Sequence, residues 1–164
     1  VLGATTSDGN KAVTMDGSTE HGDVAYGSWL NTATTLTVEA WVKTTNSGSN
    51  KSSVDRDNLS LGRVWQFRKT TANKLQFLIV AGSNPSATSS ASINDGKWHH
   101  VVATYDGANI RLYIDGAADG VTATTQALNQ PTDSGFTDLH CTFHSVPSAP
   151  MSTPCVRQVL LAAL

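Results

Sequence analysis

Apolar and polar residues alternate with a period of two along several short segments of the chain. The clearest segment runs over residues 36–43, where every second residue from Leu36 to Val42 is apolar. Because successive side chains of a strand point to opposite faces, this alternation predicts strands with one buried face. The predicted strands cover residues 13–15, 23–26, 36–43, 64–68, 75–80, 98–105 and 109–114.

Turn signals stand between these segments. Six Asp-Gly pairs occur, and this pair tolerates the positive φ angles that tight hairpin turns require. They begin at Asp8, Asp16, Asp95, Asp106, Asp115 and Asp119. The Ser- and Asn-rich stretches 44–53 and 82–92 predict long polar loops, and no helical period is visible over the first 130 residues. The pattern therefore predicts an all-β, antiparallel sandwich.

Composition narrows the class of protein. Of the 164 residues, 15% are charged, against about a quarter in an average domain, and Thr, Ser, Gly and Asn replace the missing charges. This composition is typical of β-rich modules that are extracellular, secreted or on a cell or virion surface. The net charge of −2 and the lack of a basic run argue against a nucleic-acid partner. No apolar run approaches the roughly 18 residues of a membrane span, so membrane insertion is not expected.

The ends of the chain differ from its middle. The first residue is Val, and we expect a mature product or a fragment of a larger protein. From about Gly135 charges almost vanish, three prolines and both cysteines appear, and the alternation stops. We therefore predict one domain over residues 1–133, with a truncated first strand, and an atypical tail over 134–164. The hypothesis for the tail is a frame-shifted or foreign segment.

Two blocks of sequence resemble a known family. The first is Met15-Asp16-Gly17-Ser18, followed after a gap by Thr-Val-Glu-Ala-Trp-Val over residues 37–42. The second is Asp-Gly-Lys-Trp-His-His-Val-Val-Ala-Thr-Tyr-Asp-Gly over 95–107, which leads into Leu-Tyr-Ile-Asp-Gly over 112–116. Together they resemble the laminin-G-like, concanavalin-A-like jelly-roll family, which includes pentraxin-like sandwiches, over residues 11–125. The resemblance implies a jelly-roll β-sandwich in which these motifs are architectural. The family's closing strands have no match after Ser134, so we expect the sandwich to be incomplete at the C-terminus.

Ligand candidates follow from how related sandwiches bind sugars, with an aromatic ring stacking on the sugar and polar side chains beside it. Tyr26 and Trp29 lie between early predicted strands, and Trp65 shares a strand with Arg63 and Arg68. We therefore predict a binding site that includes Tyr26, Trp29, Arg63 and Trp65. Core packing is the alternative role for Trp65.

Calcium is the cofactor that the resemblance implies, since related domains hold one ion through Asp side chains and carbonyl oxygens. Asp16 and Asp23 are the predicted ligands, and Asp55 and Asp57 lie in another oxygen-rich stretch. Turn geometry alone also explains an Asp before Gly. In the tail, His140, Cys141, His144 and Cys155 match a zinc set by residue type, with a disulfide or free thiols as the alternative.

Catalysis is not expected. A glycoside hydrolase of this fold needs two carboxyl groups on one substrate, and the chain has only two glutamates, Glu20 and Glu39, far apart in sequence. The adjacent His99 and His100 point to opposite faces of their predicted strand, so they cannot share a ligand. The sequence therefore favours a non-catalytic extracellular module, part of a larger protein, that recognises a carbohydrate or cell-surface polymer. A structural or adhesion domain making protein contacts, in a secreted or phage-tail protein, is the alternative, and a glycoside hydrolase comes third.

Overall fold

The computed structural model describes residues 21–24, 35–45, 47, 51–58, 62–80, 82–128, 137–142 and 156–162. These residues form strands, turns and loops, with no helix among them, and so none that is long and apolar enough to cross a membrane. The strands are β1 (His21–Val24), β2 (Leu36–Val42), β3 (Lys51–Asn58), β4 (Gly62–Lys69), β5 (Lys74–Ile79), β6 (Ser86–Ser92), β7 (His99–Tyr105), β8 (Asn109–Ile114), β9 (Ala117–Ala123), β10 (Thr137–Thr142) and β11 (Val156–Ala162).

The strands form two antiparallel sheets. One has six strands in the order β1-β10-β3-β4-β5-β6, and the other has five in the order β11-β2-β7-β8-β9. Neighbours along the chain pair as hairpins in β3–β4–β5–β6 and in β7–β8–β9. The all-β antiparallel sandwich predicted from the sequence is confirmed.

The core lies between the inner faces of the two sheets. In the five-stranded sheet, Val38, Ala103 and Leu112 are register partners and are fully buried. In the six-stranded sheet, Phe67 pairs with Phe77, and their rings meet edge to face with centroids 5.9 Å apart. The alternation predicted in β2, β5 and β8 is therefore confirmed, because every second residue of each strand is buried.

Three of the Asp-Gly pairs make the predicted turns. Gly96, Gly107 and Gly116 have φ angles of +77°, +86° and +83°, and Asp115 has +53°, so the β8–β9 turn is left-handed at both central residues. The turn predicted at Asp119-Gly120 is wrong, because both residues lie within β9. Leu112 pairs with Gly120 and Tyr113 with Ala118, so Asp119 is the extra residue of a β-bulge.

The loop predicted over residues 82–92 is also wrong in its second half, which forms β6. Ala87 and Ser89 are the buried positions of this strand, and small residues suit it because β9 of the other sheet packs closely against it. Ser89 keeps the polar strand paired, since its hydroxyl accepts the Leu75 backbone N–H at 2.9 Å. Likewise, β3 begins at Lys51, inside the other stretch predicted as a loop.

Side chains join the two sheets where β6 and β9, the last strands of each, lie against each other. The hydroxyl of Thr122 donates to the carbonyl of Ser86 at 2.8 Å. The carboxylate of Asp119 accepts the backbone N–H groups of Ser90 and Ala91 at 3.2 and 3.0 Å. The bulge thus turns one carboxylate toward the neighbouring sheet.

The segment predicted as an atypical tail contributes two strands. The backbone of β10 pairs with β1 and β3, and that of β11 pairs with β2. The prolines at 147, 150 and 154 fall between these strands rather than within them. The frame-shifted or foreign origin of residues 134–164, and the missing closing strands, stay predictions that sequencing of the encoding DNA across codons 125–164 tests.

Candidate functional site

The structure describes only some of the predicted ligand residues. Tyr26, Trp29 and Asp16 lie outside the described residues, while Arg63 and Trp65 lie on β4. Trp65 is 1% exposed, and its ring packs 5.8 Å from that of Phe77, centroid to centroid. The packing alternative accounts for Trp65, whose ring offers no free face for stacking, and the aromatic part of the predicted site rests on Tyr26 and Trp29.

A polar surface covers the outer face of the same sheet. We call it the β4–β6 polar face, and it is formed by Gln66, Arg68, Gln76, Ser86 and Thr88. Trp65 and Phe67 take the inward positions of β4, so Gln66 and Arg68 face outward. Gln76, Ser86 and Thr88 face the same way from β5 and β6, and Leu78 is an apolar residue among them. Arg68 and Gln76 are register partners across β4 and β5, which brings the guanidinium beside the amide.

Hydrogen bonds hold the side chains of this face in place. Nε of Arg68 donates to Oε1 of Gln76 at 2.7 Å, and Nη1 donates to Oε1 of Gln66 at 3.3 Å. The amide nitrogen of Gln76 then donates to the hydroxyl of Thr88 at 2.9 Å and to that of Ser86 at 3.4 Å. The chain of contacts runs from buried Gln66 to exposed Thr88, so its outer end meets solvent.

Two cations share this region. Arg63 is partly exposed, and its Nε lies 3.5 Å from Oδ2 of Asp55, a buried carboxylate on β3. Burial lowers the pKa of Arg68, and the nearby charge of Arg63 lowers it further. The arrangement presents oriented N–H donors and hydroxyls on a half-open surface, which is the chemistry that binds a ligand rich in oxygen atoms.

Sequence reasoning did not find the two glutamines of this face. Their signal was the alternation itself, since Gln66 and Gln76 are the polar members of apolar-polar strands. Without the register of β4 against β5, nothing in the sequence links them to Arg68.

A second cluster surrounds His99, at the end of the sandwich where β7 begins. Its Nδ1 lies 2.8 Å from Oδ2 of Asp115, and its Nε2 lies 3.0 Å from Oδ1 of Asp95. Burial alone would lower the pKa of His99, but the hydrogen bonds to both aspartates and their charges raise it above its usual value. The N–H of Lys97 and the His99 ring hold the pKa of Asp95 at about 2. His99 is thus an imidazole held between two carboxylates.

His100 faces the other way, as predicted. Its Nε2 lies 3.0 Å from Oε1 of Glu39, and its ring packs against Trp41 with centroids 5.1 Å apart. Glu39 is therefore a partly exposed carboxylate on the outer face of the five-stranded sheet, beside His100.

A cavity of about 260 Å³ lies where β2 begins and β7 ends, beside Leu36 and Tyr105. Asp106 is the charged group of its lining, and it accepts N–H bonds from Ala108 and Asn109 and contacts the guanidinium of Arg111. These bonds keep the pKa of Asp106 at about 2. The carboxylate is therefore engaged in the β7–β8 turn, and the cavity offers little else that is polar.

Possible metal ligands are scattered among the described side chains. Within that part of the chain, no group of three or more His, Cys, Asp or Glu side chains could hold a metal ion. Asp23 lies in β1, where its backbone pairs with His140, and Asp57 lies in β3. The Asp55 carboxylate faces Arg63, which disfavours a cation there. Calcium at Asp16 and Asp23 stays a prediction, and so does the zinc or disulfide alternative for the cysteines.

Solved structures with the same fold belong to several kinds of protein. The chain resembles domains LG4-5 of the mouse laminin alpha1 chain with a TM-score of 0.63 and 14% identity, over 87% of this chain and 39% of that one. It resembles the binding domain of botulinum neurotoxin serotype C1 with a TM-score of 0.53 and 16% identity, over 79% of this chain and 33% of that one. It resembles the Ruminococcus gnavus IT-sialidase CBM40 bound to alpha2,3 sialyllactose with a TM-score of 0.55 and 13% identity, over 68% of this chain and 69% of that one.

At these identities the likeness concerns the fold alone, and the chain spans about two fifths of the laminin structure. No curated protein matches the chain by sequence. A family model does match, over residues 12–139, and it is described as the concanavalin A-like lectin/glucanases superfamily (Laminin_G_3). This match contains nearly all of the resemblance seen over residues 11–125 and continues into β10. Since it covers well over half of the sequence, the chain belongs to the Laminin_G_3 family of concanavalin A-like domains.

Proposed function

We propose that the chain is a non-catalytic binding module of a larger extracellular, cell-surface or virion-surface protein, and that its ligand is a carbohydrate or cell-surface polymer. The solved structures with this fold support a binding role, since one is a toxin binding domain and another is a carbohydrate-binding module with sialyllactose bound. The same structures support an extracellular location. The ligand and the parent protein's other domains are part of the proposal.

The β4–β6 polar face is the observation that carries this proposal. Amide and guanidinium groups are planar and present donors and acceptors at fixed angles, which matches the paired hydroxyls of a sugar ring. Here Gln66 and Gln76 hold Arg68, and Gln76 in turn holds Thr88, so the groups are positioned before a ligand arrives. Less side-chain freedom is then lost on binding.

The chemistry of the described residues supports binding rather than turnover. Hydrolysis of a glycosidic bond requires two carboxyl groups on either side of the bond. Glu39 is paired with His100, and both Asp106 and Asp119 accept backbone N–H groups. Each of these carboxylates therefore has a structural partner.

Glycan retention by the intact chain tests the proposal. The chain should be retained on a subset of an immobilised glycan panel, and Gln76→Ala should weaken retention by about tenfold, because it frees Arg68 and Thr88 together. Gln126→Ala is the matched control, since Gln126 is exposed and bonds to Tyr105 and Thr124 through its backbone. Tyr26→Ala and Trp29→Ala test the aromatic half of the predicted site. If these four variants are all retained as strongly as the unmodified chain, the proposed binding site is wrong.

Adhesion through protein contacts is the second candidate function. Val121, on β9, is 66% exposed and is the one exposed large hydrophobic side chain among the residues whose burial is described. An exposed valine beside Arg111, its register partner, suits a protein contact better than a sugar. This function predicts no retention on any glycan and measurable self-association by sedimentation, which Val121→Lys should abolish.

A further inference from the structure

We propose that Arg68 binds the carboxylate of an acidic sugar at the β4–β6 polar face. The inference rests on the proposed function and names the ligand class of that site. Four features of the face support the inference. They are the hydrogen bonds that fix Arg68, the N–H groups of Arg68 that these bonds do not use, the charges near Arg68 and the neutral polar groups beside it.

Arg68 is held by neutral acceptors. Its two bonds go to the amide oxygens of Gln76 and Gln66, so its position is fixed while its charge is not offset. A guanidinium has five N–H hydrogens. Two are used here, and the other three meet no acceptor among the side chains that the structure describes. They form a fork that can donate to the two oxygens of a carboxylate.

Three other cations of the described region differ from Arg68, because each lies beside an aspartate. Arg63 lies 3.5 Å from Asp55, Arg111 contacts Asp106, and Lys97 lies 3.4 Å from Asp95. Arg68 has no such aspartate in the described part of the chain, and its closest charged influence is the like charge of Arg63. A bound anion would offset this repulsion in a partly buried setting, where charges interact more strongly than in water.

The neighbours of Arg68 select the rest of the ligand. Thr88 and Ser86 supply hydroxyls, and both glutamine amides are uncharged, so the surface next to the cation suits sugar hydroxyls. A carboxylate presents two oxygens that fit the remaining fork. We therefore name a sugar acid within a glycan as the ligand class, and a sulfated glycan, whose oxygens also fit a guanidinium fork, is an outcome of the test.

Titration calorimetry at low salt tests this with three carboxylated probes: oligogalacturonate, oligoglucuronate and sialyllactose. Each is compared with the same compound after reduction of its carboxyl groups to alcohols. The chain should bind at least one acidic probe about tenfold to a hundredfold more tightly than its reduced form. Arg68→Gln should remove this difference, and Arg68→Lys, which keeps the charge and loses the fork, should restore only part of it.

Lys97→Gln is the control, because it removes an exposed positive charge at the end of the other sheet. Thermal unfolding of each variant establishes that it is folded. If Arg68→Gln does not fold, the comparison of probes is made with Arg68→Lys alone. Equal affinity for acidic and reduced probes overturns the inference and leaves the proposed function standing. An equal loss in Lys97→Gln, or tighter binding of sulfated than carboxylated oligosaccharides, overturns it as well. Absence of binding to every probe and to the glycan panel contradicts both.

Discussion

Nδ1 of His99 lies 2.8 Å from Oδ2 of Asp115, which joins the first residue of β7 to the turn between β8 and β9. The other oxygen of Asp115 accepts the backbone N–H of His100 at 2.9 Å. With Asp95 on the far nitrogen of the ring, one imidazole connects two turns of the sandwich. The Asp-Gly-Lys-Trp-His motif over 95–99 and the Asp-Gly at 115 therefore act together, beyond the turn that each one makes.

The stability of the fold should fall as the pH rises through the pKa of His99. That pKa is raised in the folded chain, so the stabilisation is complete below the unfolded value of about 6.5 and is lost above the folded value. Urea unfolding of the chain and of His99→Gln should show a larger difference in free energy at pH 5.5 than at pH 8.5. A difference that is the same at both values, or larger at pH 8.5, contradicts the prediction.

Asp115→Asn should lower the pKa of His99 without opening the turn. Asparagine tolerates the φ of +53° at this position and keeps an oxygen for the N–H of His100. The charge beside the imidazole is removed, and an amide nitrogen replaces the Oδ2 acceptor opposite Nδ1 of His99, so we expect a cost of about 1 kcal/mol in stability. Proton NMR titration of His99 measures the pKa directly.

Asp106→Asn is the matched control for this experiment, because Asp106 occupies the corresponding position of the β7–β8 turn and does not contact His99. A pKa of His99 that moves equally in both variants would indicate a general charge effect.

Gly120→Ala should destabilise the sandwich by about 1–3 kcal/mol. A Cβ at this position would stand 2.9 Å from the carbonyl oxygen of Thr88 and 3.3 Å from its carbon, both of them backbone atoms of the other sheet. Neither can move without separating β6 from β9. The midpoint of urea unfolding measures the loss.

Gly82→Ala distinguishes this clash from the general effect of replacing a glycine. There the nearest atom to a new Cβ is Oε1 of Gln126 at 3.5 Å, the flexible end of an exposed side chain. We expect this variant to change stability by less than about 0.5 kcal/mol. Similar losses in the two variants would show that the approach of β6 to β9 is not what requires Gly120.

Calcium binding, predicted from the resemblance, gives a fourth test. If Asp16 and Asp23 hold an ion, millimolar calcium should raise the midpoint of thermal unfolding relative to a chelator. The gain approaches about 2.7 kcal/mol when calcium is at 100 times its dissociation constant. Asp16→Asn and Asp23→Asn should each remove it. A cooperative transition indifferent to calcium speaks against the ion, and the lack of any cooperative transition indicates an incomplete domain.

The alternation in the sequence predicted strands whose buried residues are all apolar. It did not predict strands whose buried residues include polar or charged side chains. In β2, β5 and β8 the alternation was visible because every inward position is aliphatic or aromatic. In β3 the fully buried set includes Arg56, and in β6 the inward positions are Ala87 and Ser89. Hydropathy cannot mark such strands, since their pairing depends on neighbours that are distant in sequence.

The same limit applies to the candidate site. Arg63 and Arg68 could be placed on one strand from the sequence, but the partner of Arg68 is Gln76, eight residues along and across a turn. Trp65 was a candidate because aromatic rings bind sugars, and only the packing of β4 against Phe77 shows which way it faces.

The junction of β6 and β9 has a consequence for how the chain behaves in concentrated solution. A terminal strand exposes unpaired carbonyl and amide groups on which a second molecule can add its own strand. Here Asp119 and Thr122 occupy three of these groups on β6, and the bulge at Asp119 breaks the regular spacing that an added strand must match. This side of the sandwich is thus protected against polymerisation by side chains of its own fold.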